Sequence, residues 1–189
     1  DWPCRWRVAQ ARVRAAEGDL QTALDLLDEA RRLYFKTSAP DIQPIDALKA
    51  RVHLRLGRWR EALAWAREHG LSADDDLSYV TEFEHVTLAR ALIAQHRDDP
   101  QAGSIYPAIA LLGRLLQAAE TVRRMGSVIE ILVTQALAFQ AQGDGPQAIA
   151  SLERALSLAE PEGYLRIFVD EGASMAQLLA EAAARGVMG

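Results

Sequence analysis

Apolar positions recur along this chain at intervals of three and four residues, as in Ile129, Leu132, Val133, Ala136 and Leu137. That spacing lines up side chains on one face of a helix. Alternation with a period of two, the mark of a half-buried strand, is missing, and Arg166-Ile167-Phe168-Val169 is the only short ambiguous stretch. The pattern predicts helices near residues 5–17, 20–36, 42–56, 59–69, 77–97, 105–124, 128–142, 146–159 and 174–185, with loops near 37–41, 70–76 and 160–163. Ser127 with Glu130, and Ser174 with Gln177, read as capping boxes, and Pro146 suits a first helical turn, where its missing N–H costs nothing. The acidic run Asp74-Asp75-Asp76 reads as the cap and dipole partner of the helix that follows it.

The helices repeat. Gly18, Gly57 and Gly143 are each followed five residues later by Ala and then by Leu or Ile, and each is preceded by Ala at seven residues: Ala11, Ala50 and Ala136. A fourth copy places Ala91 seven residues before Asp98, and Ala108-Ile109 falls in register once Asp99-Pro100-Gln101-Ala102-Gly103 is taken as an insertion. Small residues at these points let two antiparallel helices approach closely, and glycine supplies a turn at positive φ. The period of roughly 40 overlaps HEAT and armadillo repeats, but the turn motif selects a tetratricopeptide-like (TPR-like) hairpin. The expectation is an all-α superhelix of about four antiparallel hairpins plus a C-terminal helix, a single domain over residues 1–189.

Composition narrows the function. Half of the residues are apolar and 25% are charged, and Arg, Glu or Gln interrupts each apolar stretch, so no bilayer-spanning run is expected. Asp1-Trp2-Pro3-Cys4 has neither a Met nor a signal-peptide pattern, so the chain reads as a piece of a longer polypeptide. A single cysteine makes no internal disulfide, which points to the cytoplasm. The net charge of −5 argues against a nucleic-acid surface. It is uneven, however: residues 1–69 carry 13 Lys/Arg against 10 Asp/Glu, and residues 70–189 carry 8 against 16. The N-terminal third is therefore the better place for an anionic partner.

The second half carries the strings Leu77 to Glu84, Leu88-Ala89-Arg90, Gly126 to Gly143 and, most specifically, Leu158 to Gly172. In these residues it resembles the C-terminal part of the large ATP-binding, MalT-type regulators of the LuxR family. With a looser match over residues 42–76 the likeness covers most of the chain, whereas residues 1–36 match only as a generic repeat. The resemblance implies a middle region that receives an inducer or partner protein, with an NTPase module before it and a helix-turn-helix domain after it. Neither is expected here, because no phosphate-binding loop is present and the chain stops where the DNA-binding domain would begin.

Candidate chemistry is sparse. His53, His69, His85 and His96 include no i, i+4 pair and there is no Cys-x-x-Cys, so no metal and no cofactor are expected. No nucleophile elbow or paired carboxylate suggests catalysis. Trp2, Trp6, Trp59 and Trp65 are expected to fill hairpin cores, although exposed ones would mark a partner surface. In TPR-like hairpins the first helix of each pair lines the concave groove, here at about 13, 10, 6 and 3 residues before the turn. The candidate groove residues are Arg5, Arg12, Arg51, His85, Leu88, Leu92, Val133 and Leu137. Arg12 and Arg51 share a register in successive repeats and would together clamp a carboxylate or phosphate. The expected function is signal sensing within a transcriptional regulator, the partners being an effector molecule or protein segment and other domains of the same regulator. Direct nucleic-acid or membrane contact is not expected, and self-association stays open. The alternative is a constitutive protein-binding scaffold.

Overall fold

The computed structural model describes residues 2–35, 43–161 and 163–185. Among these every regular element is helical. The helices are α1 (Trp2–Glu17), α2 (Leu20–Leu33), α3 (Ile45–Arg55), α4 (Trp59–Glu68), α5 (Glu82–Asp98), α6 (Ile105–Thr121), α7 (Met125–Gln142), α8 (Gly145–Ala159), α9 (Arg166–Val169) and α10 (Ala173–Ala184), with one 3-10 turn at Pro100–Ala102. The chain divides into two compact units, Asp1–Ala94 and Gln95–Gly189.

In the first unit α1 pairs with α2, α2 with α3 and α3 with α4. The small residues sit where the repeat register requires them. Ala23, Ala62, Ala108 and Ala148, each five residues after a turn glycine, are fully buried, and Ala11, Ala50, Ala91 and Ala136 are buried as well. Gly18 and Gly57 hold φ of 86° and 74°, and the residue after each donates to a carbonyl five positions back, Asp19 N to Arg14 O and Arg58 N to His53 O, both 2.9 Å. This is the Schellman closure, which needs the left-handed backbone that glycine adopts without strain.

The second unit is built round α7, which packs against α6, α8, α9 and α10. Val128, Ile129 and every residue from Ile131 to Ala138 are buried. A helix that is apolar on all sides belongs in the middle of its neighbours. Here the insertion takes a definite form: Asp99 caps the 3-10 turn by accepting from Gln101 N at 3.1 Å, and Gly103 closes it at φ 65°. Gly103, five residues before Ala108, is therefore the turn glycine of the second helix in that repeat.

Several local expectations are corrected. The helix expected at 77–97 begins at Glu82, so Asp74-Asp75-Asp76 lies well ahead of it and does not cap it. Asp75 instead accepts from Ser72 N at 2.8 Å, and Ser78 Oγ accepts from Thr81 N at 3.3 Å in the turn that leads into α5. Ser127 and Ser174 fall inside the first turns of α7 and α10, so neither is a cap. The working caps are Asp19 and Asp144, whose side chains accept from Thr22 N and Gln147 N. The ambiguous stretch at 166–169 is one helical turn, which follows a loop closed by Gly163 and buries Phe168. Trp65 is buried and Trp59 half-buried, as expected, but Trp2 and Trp6 are exposed. Their helix turns Cys4, Val8, Ala11 and Ala15 toward the core instead. The loop expected at 37–41 lies outside the described residues.

Candidate functional site

The basic end of the candidate site belongs to the first unit. Arg5 and Arg12 project from α1 into solvent. Arg12 Nη2 donates to Gln43 Oε1, a neutral acceptor. Neither arginine has an acidic partner among the described residues, since the other cations of α1 take those nearby: Arg7 pairs with Glu29 at 2.8 Å and Arg14 with Glu17 at 3.0 Å.

Arg51, six residues before its turn glycine as Arg12 is before Gly18, is half-buried and firmly held. Its Nε donates to Thr87 Oγ1 at 2.8 Å, and its guanidinium carbon stands 3.7 Å from the centroid of the Phe83 ring. Thr87 Oγ1 in turn donates to the Phe83 carbonyl at 2.7 Å, which Arg51 Nη2 reaches at 3.5 Å. The result is a chain of donors ending on one carbonyl, with a cation over a ring face, a contact worth about 0.5–2 kcal/mol. Sequence reading missed Phe83 and Thr87. Their i, i+4 spacing places both on one face of α5, which is the signal that would have found them.

The remaining positions are more enclosed. His85 is buried, with Nδ1 2.8 Å from the Thr81 carbonyl and Nε2 3.1 Å from Asp75 Oδ2, so both nitrogens face acceptors. One carboxylate of the acidic run thus ties the loop before α5 to the helix. Leu88 is buried and Leu92 half-buried. Val133 and Leu137 belong to the second unit, where both are buried in α7. The structure therefore divides the eight residues into two exposed arginines, a held arginine, a histidine tied to a loop and four largely enclosed apolar side chains.

A second polar cluster lies on the α3–α4 hairpin. His69 Nδ1 meets the Trp65 carbonyl at 2.9 Å and its Nε2 stands 3.8 Å from Asp46, which also accepts from Arg31 at 3.2 Å. Burial lowers the pKa of His53 below its ordinary 6.5, opposed by the nearby Glu61 carboxylate. Desolvation disfavours the charged ring, so burial shifts His53 toward its neutral form. Among the described residues no three His, Cys, Asp or Glu gather as a metal would require, and no helix is long and apolar enough to cross a membrane.

A family model described as the MalT-like TPR region matches residues 1–185. No curated protein and no solved structure matches the chain.

Proposed function

Because the chain belongs to the MalT-like TPR family, we propose that it is the signal-receiving region of a LuxR-type transcriptional regulator and carries out no chemistry of its own. The observation behind this reading is the family match over residues 1–185, which makes a helical-repeat array the working part of the chain. Such arrays act by holding a ligand or a chain segment on side chains that the core does not need.

The binding locus in this reading is the region of Arg12 and Arg51, and the ligand is an effector or partner segment with a carboxylate or phosphate. Arg51 is oriented in advance by Phe83 and Thr87, which lowers the ordering cost of binding. Arg12 spends a donor on neutral Gln43 and keeps its charge for an anion. A ligand that prefers one arrangement of the repeats raises its population. NTPase and DNA-reading domains of the same cytoplasmic regulator would respond to that shift.

The test is a titration of the isotope-labelled chain with inorganic phosphate and with succinate, followed through the arginine Nε–H resonances. Saturable shifts are expected at Arg12 and Arg51, and weaker binding in Arg12→Lys and Arg51→Lys, because lysine lacks the bidentate fork. A double alanine variant that binds like the parent chain would sink the site. In the full-length regulator the double variant should lose its response to the inducing signal while still binding ATP and operator DNA. An unchanged response would favour a constitutive scaffold.

A further inference from the structure

We propose that His85 and Asp75 are positioning residues for the Arg51 end of the site: a buried, doubly protonated His85 ties the loop before α5 to that helix and so fixes the Phe83 ring on which Arg51 lies. This role rests on the proposed binding locus, whereas the contacts that carry it are made without a ligand. Arg51 depends on Phe83 twice, through the ring 3.7 Å from its guanidinium carbon and through the Phe83 carbonyl that its Nη2 reaches at 3.5 Å. His85 lies two residues from both Phe83 and Thr87, which puts it on the other side of α5. It therefore acts on Arg51 through the helical turn and not by contact.

The protons follow from the acceptors. A carbonyl oxygen only accepts, so His85 Nδ1, 2.8 Å from Thr81 O, carries a hydrogen. Nε2 then faces Asp75 Oδ2 at 3.1 Å. A bare ring nitrogen there would set its lone pair against an oxygen, so either Nε2 or Asp75 holds a proton. That same Oδ2 accepts the Ser72 N–H at 2.8 Å, and the Asp75 side chain is 33% exposed. A backbone donor and contact with water both favour the carboxylate, which leaves the proton on Nε2. His85 is thus an imidazolium only 2% exposed, with an acceptor at each N–H. A charge-assisted hydrogen bond of this kind is about twice as strong as a neutral one.

The loop before α5 contains two small folded pieces. In the first, Asp74 N donates to Ser72 Oγ at 3.2 Å; in the second, Thr81 N donates to Ser78 Oγ at 3.3 Å. The His85 ring bridges them, reaching Asp75 in one and the Thr81 carbonyl in the other, and that carbonyl also receives the His85 backbone N–H at 3.0 Å. Thr81 directly precedes α5, and Phe83 is the second residue of the helix. The N–H groups of a first turn have no partner further back along their own helix, so this turn frays most readily. Pinning Thr81 from both sides decides where Phe83 points. Thr87, which accepts from Arg51 Nε one turn further in, is held by the body of the helix.

The experiment reads nitrogen and proton resonances of the whole isotope-labelled chain with no ligand present. At about pH 6 both ring nitrogens of His85 should be protonated. The Arg51 Nε–H should lie at the high-field position that the Phe83 ring current gives, with Phe83→Leu marking the unshielded one. Asp75→Ala should move the Arg51 resonance most of the way to the Phe83→Leu position and speed its exchange with water several-fold, while the far-UV circular dichroism stays that of the parent. Asp75→Ser provides the same reading if that variant misfolds. Asp75→Asn should restore the parent position, because its amide N–H donates to a bare Nε2 while its oxygen keeps the Ser72 N–H; the His85 spectrum should then show Nε2 unprotonated. An unprotonated Nε2 in the parent chain, or an Arg51 resonance that Asp75→Ala leaves in place, overturns the proposal. So does Asp75→Asn if it moves that resonance as far as Asp75→Ala, since damage to the loop in general would then be the cause. A phosphate titration separates this role from the binding locus. Asp75→Ala should weaken phosphate binding roughly two- to tenfold, whereas a parent chain that ignores phosphate sinks the locus and leaves the resonance test of the positioning role standing.

Discussion

The side chains that matter most are polar groups placed where water is scarce. His53 has its Nδ1 buried with no hydrogen-bond partner among the described residues, and burial depresses its pKa below 6.5. In the unfolded chain the ring takes up a proton as pH falls through 6.5, whereas in the fold it resists until a lower pH. The unfolded state therefore binds more protons in that window, and stability is lost as pH falls. The melting temperature should fall between pH 7.5 and 5.5, and the drop should be smaller in His53→Gln. An equal drop in both would assign the pH dependence to other groups. Arg51 shows the same principle from the other direction, as a cation held by a hydroxyl and a ring face. Neither histidine nor arginine advertised its surroundings in the sequence, because those surroundings come from residues more than thirty positions away or from the depth of packing.

At the scale of the element, the helical hairpin is specified by a few small residues. Ala62 and Ala148 are fully buried five residues after their turn glycines. Replacing either by Leu inserts three carbon atoms at a closely packed crossing and should cost roughly 1–3 kcal/mol. Denaturation midpoints equal to that of the parent chain in both variants would mean that these alanines do not set the helix spacing. This part of the fold was legible from the Gly-to-Ala register alone, since only a small side chain fits where two backbones meet. Caps were less legible. Ser127 and Ser174 satisfy the capping-box pattern yet lie inside helices, while Asp19 and Asp144, directly after turn glycines, do the capping. A cap is decided by where the preceding turn releases the chain, and in these hairpins the Schellman glycine sets that point. Arg124 follows a similar closure made by Arg123 at φ 56°, a turn without glycine that no residue pattern announced.

For the molecule as a whole, the sequence carries a net charge of −5 and no phosphate-binding loop. The purified chain is expected to show no ATP hydrolysis above buffer and no sequence-specific retention of duplex DNA, because counterion release requires a basic face. Salt-sensitive, sequence-specific retention in a filter-binding assay would contradict this. The helical class, the repeat register and the kinship to MalT-like TPR regions were all determined by the sequence, because periodicity, small-residue spacing and turn glycines act over a few residues at a time. Only the tertiary structure decided which apolar stripes are covered. Trp6 and Val13 repeat the pattern of Ile45 and Val52, yet one stripe is open and the other closed. The same holds for the candidate site, where Arg12 and Arg51 share a register but one faces water and the other lies on Phe83. Spacing along a helix tells which side chains share a face, whereas exposure depends on whether another helix stands opposite, and that neighbour is set by contacts between residues far apart in the chain.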